Sequence, residues 1–248
     1  MGCRMLKKLY EKSQVWFSVF WIISYCVLMS AGDRLSEMAG LQKSFSMLVG
    51  LVLSVLLFAF LKNNGLLREY GLCRPKSSAG EMLYYIPLLC MMAANIWGGF
   101  CLRYGVVETL LYIFTMFCVG FLEEVIFRGL LFNAMRKDDL RWAVLVSSLT
   151  FGIGHIINLI NGSGAQLLPN LMQVIYATAA GFMFVMIYLK TNSLVFCIAA
   201  HGVFNALSVF SCEPKTIALR VLTCVFLTLV TGTYGVFIAL SMKRKGEN

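Results

Sequence analysis

Charge is what this 248-residue chain has least of. Asp, Glu, Lys and Arg together make up 13% of it, against 59% hydrophobic residues, and the mean hydropathy is +0.79. A soluble domain of this length needs far more polar surface, so the composition predicts a polytopic membrane protein, all-α, with its chemistry among the helices. Proline is scarce, at four residues, and repetitive tracts are absent; a disordered or linker-rich design is thereby excluded. Among nine cysteines there is no C-x-x-C pair, so they read as inert packing residues and not as a disulfide framework or zinc cage. The N-terminus lacks the Ser or Thr at position six that a myristoylation signal requires. Histidine is scarcer still: His155 and His201 are the only two.

Eight hydrophobic segments are present, at about 15–31, 44–61, 81–101, 105–135, 142–160, 171–189, 193–212 and 217–241. Each is near the length of about 20 residues needed to cross the hydrocarbon core. The first follows Lys7, Lys8 and Lys12 and reads as an uncleaved span, because further spans succeed it. The fourth is long enough to require tilt, a kink or extension into the cytoplasm. Pro87 falls in the first turn of the third span, while Pro169 and Pro214 read as loop residues.

The net charge of +9 is dispersed in short segments flanking the apolar runs, which argues for orientation signals and against nucleic-acid binding. Alternate segments starting from the N-terminus hold fifteen Lys and Arg residues, the opposite side holds five, and Arg128 lies inside a span. This bias places both termini in the cytoplasm, with an even number of spans. A division at about residue 80 is expected, with two N-terminal spans and a cytoplasmic loop over 1–80 and the functional core over 81–248.

Ionisable groups at membrane depth are costly unless paired or facing a polar cavity, so they read as functional. Three segments concentrate them: Glu123-Glu124-Val125-Ile126-Phe127-Arg128, Phe151-Gly152-Ile153-Gly154-His155, and His201-Gly202-Val203-Phe204-Asn205. Counted from the cytoplasmic ends, Glu123, His155 and His201 lie at depths of roughly 20, 20 and 14 Å, so one slab of membrane contains all three. Glu124 and Arg128 have the i, i+4 spacing of an ion pair. Glu123 is rotated about 100° away, available as a general base. Gly152 and Gly154 permit close approach beside His155. His201 and Asn205 share a helical face and are suited either to donating to a developing oxyanion or to metal ligation by His. Taken singly, the bland readings are a packing ion pair and interhelical hydrogen bonds. No serine or cysteine sits in a nucleophile-elbow context, Ser163 lying in a Gly162-Ser163-Gly164 loop, so water is the natural nucleophile.

In that order, E-E-x-x-x-R, F-x-x-x-H and H-x-x-x-N resemble the CAAX-protease and bacteriocin-processing (CPBP, or Abi) family of intramembrane proteases, with no departure at any motif position. The motif region covers about 115–212, and Tyr70-Gly71-Leu72-Cys73-Arg74-Pro75 resembles a Gly-Leu segment that precedes it. The resemblance implies an eight-helix bundle whose site lies in a conical cavity open towards the cytoplasm and the bilayer. It implies that Glu123 and His155 activate water, that His201 and Asn205 hold the oxyanion, and that Glu124 and Arg128 support the site. A metal-free glutamate mechanism is favoured over zinc held by Glu123, His155 and His201, which lie on separate helices without H-E-x-x-H spacing. The implied substrate is a membrane-associated peptide or protein in a bacterial plasma membrane, in bacteriocin self-immunity or peptide processing. Two other classes stand beside this: a non-catalytic immunity or scaffold protein that binds a peptide or partner helix, and a proton-coupled transporter. The internal repeat expected of the transporter is not visible in the sequence.

Overall fold

The computed structural model describes residues 2–76, 86–161, 165–212 and 216–246. The start of the third segment, the Gly162-Ser163-Gly164 loop and Pro214 lie outside the described residues. Every other part of the eight apolar segments is helical or borders a helix. Among the described residues, six helices are long and apolar enough to cross a bilayer, and two apolar helices, Ile86–Ile96 and Val195–Phe210, are shorter. The chain is a multi-pass helical membrane protein.

A short helix, α1 (Gly2–Lys12), precedes the first span, α2 (Gln14–Met38), from which it is separated by the N-cap Ser13. Positions 17, 21, 25, 29, 32 and 36 of α2 are buried, a stripe at helical spacing that meets the buried stripe of α3 (Ser44–Asn63). The outward faces of both helices carry exposed Ile, Leu, Val and Phe, which is favourable where the solvent is lipid. There follow α4 (Ile86–Ala93), a long helix beginning as α5 (Val106–Glu123), α7 (Leu140–Gly154), α8 (Leu167–Thr191), α9 (Val195–Leu207) and α10 (Ile217–Gly246). Pro169 lies in the first turn of α8 and not in a loop, a position that needs no intrahelical N–H.

The fourth segment resolves its excess length by a change of helix type. After Glu123 it widens into a π-helix, Glu124–Phe132, and ends in a single α-turn, α6 (Asn133–Met135). Side chains take up carbonyls of the widened stretch: Ser147 Oγ donates to the Phe127 carbonyl at 2.9 Å, and Asn133 Nδ2 to that of Gly129 at 2.7 Å. Such insertions into the ladder are a recognised cause of helix irregularity.

The Tyr70-Gly71-Leu72 segment docks against the core. Gly71 has φ +75, and a Cβ there would meet Tyr188 at 2.6 Å, so both backbone and space demand glycine. Its carbonyl accepts from Leu194 N at 2.8 Å, and Tyr70 is 1% exposed.

At the opposite end of the bundle one expectation fails. Cys101 and Cys212, 111 residues apart, form a disulfide, whereas Cys26, Cys73, Cys90, Cys118, Cys197 and Cys224 are free. The two loops meet through Phe100 stacked on Phe210 and through Cys101 N donating to the Phe210 carbonyl at 2.8 Å. No local spacing could announce a pair assembled by the ends of α4 and α9.

Candidate active site

Two glycines bring the site together. A Cβ on Gly120 would lie 2.8 Å from the backbone nitrogen of Gly202, so α5 and α9 touch backbone to backbone, as small residues allow in membrane bundles. Gly120 is three residues before Glu123, and Gly202 follows His201, so this contact sets carboxylates against imidazole. Gly152 does the same for α7 against α8, where a Cβ would lie 2.8 Å from the Val174 carbonyl; Gly154 faces open space.

Glu124 and Arg128 form the expected ion pair, Nη1 to Oε1 at 3.1 Å, with both side chains fully buried. The guanidinium carbon stands 4.0 Å from the Phe151 ring centroid and 5.5 Å from that of Phe184. A desolvated cation on an aromatic face gains about 2 kcal/mol or more, which offsets part of the burial cost. Gly181 leaves the room this requires, since a Cβ there would come within 3.1 Å of Arg128 Nη2.

His201 joins the pair. Its Nδ1 lies 2.8 Å from Glu124 Oε1, and its Nε2 3.3 Å from Glu123 Oε2. An ionised carboxylate only accepts, so Nδ1 carries the proton towards Glu124. The ring also lies flat against Phe184, with centroids 5.8 Å apart, and meets the edge of Phe151.

Glu123 is held differently from its neighbour. Its Oε1 accepts from Tyr25 Oη at 2.7 Å. Its Oε2 makes no hydrogen bond, the His201 contact being close but outside hydrogen-bonding geometry. Glu123 and His155 line one cavity of about 110 Å³, enough for ordered water. His155, His201 and Asn205 line a second of about 40 Å³, and Phe151 and His155 belong to both walls. His155 closes α7 where it tightens into the 3₁₀ turn His155–Leu159, and its carbonyl accepts from Asn170 Nδ2 at 2.8 Å. All six sequence-derived residues therefore gather at one place.

Several partners escaped the sequence reading. Tyr25 arrives from the first span and no motif marks it. Phe184 and Asn170 likewise lack a signal, while Gly120 and Gly202 offered one: small residues beside intramembrane ionisable groups. The cavity also differs from its expected aspect. Its walls climb α2 from Tyr25 to Asp33 and the chain from Phe151 in α7 to Asn161 beyond the 3₁₀ turn, towards the end opposite the termini.

Residues 105–207 match the model of the family described as Rce1-like, Type II CAAX prenyl endopeptidase. The chain is also 34% identical over 85 residues to the Bacillus subtilis (strain 168) protein named "Putative membrane peptidase YdiL". That alignment covers 34% of this chain and 30% of the relative. No solved structure matches. The matched segment, under half of the chain, holds Glu123, Glu124, Arg128, His155, His201 and Asn205, and in it the chain is similar to the Rce1-like family.

Proposed function

We propose that this protein is an intramembrane endopeptidase that hydrolyses a peptide bond of a membrane-associated peptide or protein. The observation that carries the reading is the convergence of Glu123, His155, His201 and Asn205 on two adjoining cavities that share His155. Water between Glu123 and His155 gives up a proton as its oxygen bonds to the carbonyl carbon. The oxyanion is held by Asn205 and by His201 in its doubly protonated form, Nδ1–H anchored on Glu124 and Nε2–H donating to the reacting oxygen. The C–N bond then breaks as the proton passes to the leaving nitrogen, yielding carboxylate and amine. Glu124 and Arg128 position His201 and do not touch substrate.

The same reading is metal-independent and places the protein in the bacterial plasma membrane. What supports the first is donor geometry. Among the described residues no group of three or more His, Cys, Asp or Glu side chains is gathered to hold a metal, and both His201 nitrogens face carboxylates. Zinc held by Glu123, His155 and His201 is the alternative reading, and the mechanism proposed above routes no step through it.

Comparative membrane proteomics of cells carrying wild type or Glu123→Gln tests the activity. Peptides cut in the wild type should persist in the variant, and purified protein should cleave them about 10²–10⁴-fold faster than Glu123→Gln, the range for loss of a general base. Equal cleavage by a correctly inserted variant overturns the mechanism. Activity should survive chelators; loss restored by zinc would replace the metal-free reading.

A further inference from the structure

A groove of about 690 Å³ opens between α7, α8 and α10, at the end of the bundle that holds the termini. It is walled by α7 from Leu140 to Leu149 and by α8 from Leu189 back to Thr178, with Ala239 and Met242 of α10 along its edge. At 1.5 Å per residue those two walls rise about 14 and about 16 Å, close to half of the roughly 30 Å hydrocarbon core. The groove is one leaflet deep. Its two hydroxyls, on Ser148 and Thr178, donate to carbonyls of their own helices, Val144 at 2.7 Å and Val174 at 2.8 Å. Such walls suit an aliphatic chain and offer a polar group no partner. A spanning helix would need a surface about twice as long.

Charge gathers at one end of this groove. Arg141 is exposed and, among the described residues, is the single charged residue of the lining. Lys190 and Lys243 each stand one residue beyond a lining residue, Leu189 and Met242. Each of the three helices thus brings one cation to the end that the Lys and Arg distribution assigns to the cytoplasm. Asp139, two residues before Arg141, is committed to capping α7, where its Oδ1 accepts from Trp142 N at 2.9 Å. Trp142 is 61% exposed beside them, as suits an indole at headgroup level. Basic residues at the cytoplasmic surface of a membrane attract anionic headgroups.

The floor of the groove backs onto the sealed pair of the site. A Cβ on Gly181 would lie 3.2 Å from the Ser148 Cα and 3.1 Å from Arg128 Nη2. One helix contact therefore separates a lining residue from the buried guanidinium, and an occupant of the groove bridges α7, α8 and α10 over that contact.

We propose that the groove binds an anionic phospholipid of the cytoplasmic leaflet. One acyl chain lies between α7, α8 and α10, the phosphate faces Arg141, Lys190 and Lys243, and the bound lipid stabilises the bundle behind Arg128. Its occupancy does not depend on hydrolysis in the chamber.

Native mass spectrometry of the delipidated, detergent-purified full chain tests this. The probes are phosphatidylglycerol and phosphatidylcholine with identical acyl chains, and glycerol 3-phosphate as the headgroup alone. One phosphatidylglycerol should bind per chain, at least about tenfold tighter than phosphatidylcholine, and should raise the thermal midpoint. Glycerol 3-phosphate should do neither. Arg141→Gln should weaken phosphatidylglycerol by about fivefold, the contribution of one basic residue beside anionic lipid. Lys62→Gln, at the same end on α3, should leave both lipids unchanged, and Ala239→Phe, which fills the groove, should abolish the selective binding. Equal affinity for the two lipids, or the same loss from Lys62→Gln as from Arg141→Gln, means annular lipid only and overturns the proposal. Selective binding that survives Ala239→Phe also overturns it. So does an oligomer that Ala239→Phe converts to a monomer, which would assign the groove to a second copy of this chain.

Discussion

Glu123 and Glu124 are adjacent, chemically identical and both buried, yet they belong to different halves of the site. Glu124 faces the dry half, where its Oε1 is occupied by Arg128 and His201 and aromatic rings close over the guanidinium. Glu123 faces the half with space, holding one bond from Tyr25 and a cavity wall shared with His155. The α-helix gives way to the π-helix between them, a kind of irregularity that recurs at functional sites. The comparison separates two tasks usually demanded of one charge: surviving burial and remaining available to react.

The dry half should fail by unfolding. Arg128→Met leaves Glu124 charged and buried, which costs about 3–5 kcal/mol; thermal denaturation of the detergent-purified protein should show the loss. The double variant Glu124→Gln with Arg128→Met should recover part of it. An unchanged midpoint for the single variant would remove the distinction between the halves.

The open half should fail by slowing. Asn205→Ala removes a donor to the oxyanion and should lower cleavage by about 10²–10³-fold, with the denaturation midpoint little changed because the side chain lines a cavity. A large midpoint shift with normal cleavage would assign Asn205 to packing.

The smallest effect sharpens the boundary. Tyr25→Phe keeps the ring and deletes the hydroxyl that donates to Glu123. Hydrogen bonds to charged groups are worth about 1.5–3 kcal/mol, so cleavage should fall by about tenfold or more if the bond orients Glu123 in the reaction. A stability loss alone would place Tyr25 with the structural half.

The polar cluster was legible because an ionisable group within an apolar run is conspicuous at any resolution of reading. The i, i+4 spacing of Glu124 and Arg128 announced their pair, and the matched depths of Glu123, His155 and His201 announced a common slab. The second partner of His201 was not legible: the two segments meeting there are 77 residues apart, and nothing in H-x-x-x-N specifies which carboxylate each nitrogen meets. Tyr25 was hidden for a similar reason, as one aromatic among many on a buried stripe.

Hydropathy and charge alone determined that the chain is a bundle of membrane helices, where those helices lie, and which few polar residues must find partners inside it. Only the tertiary structure decided which face of each helix turns inward, that Gly120 meets Gly202, that one glutamate is sealed and its neighbour is not, and towards which end the chamber runs. The reason is that the bilayer drives insertion by apolar content, which is additive along the chain. Lateral assembly depends on small-residue contacts and close packing between helices, which no single segment encodes.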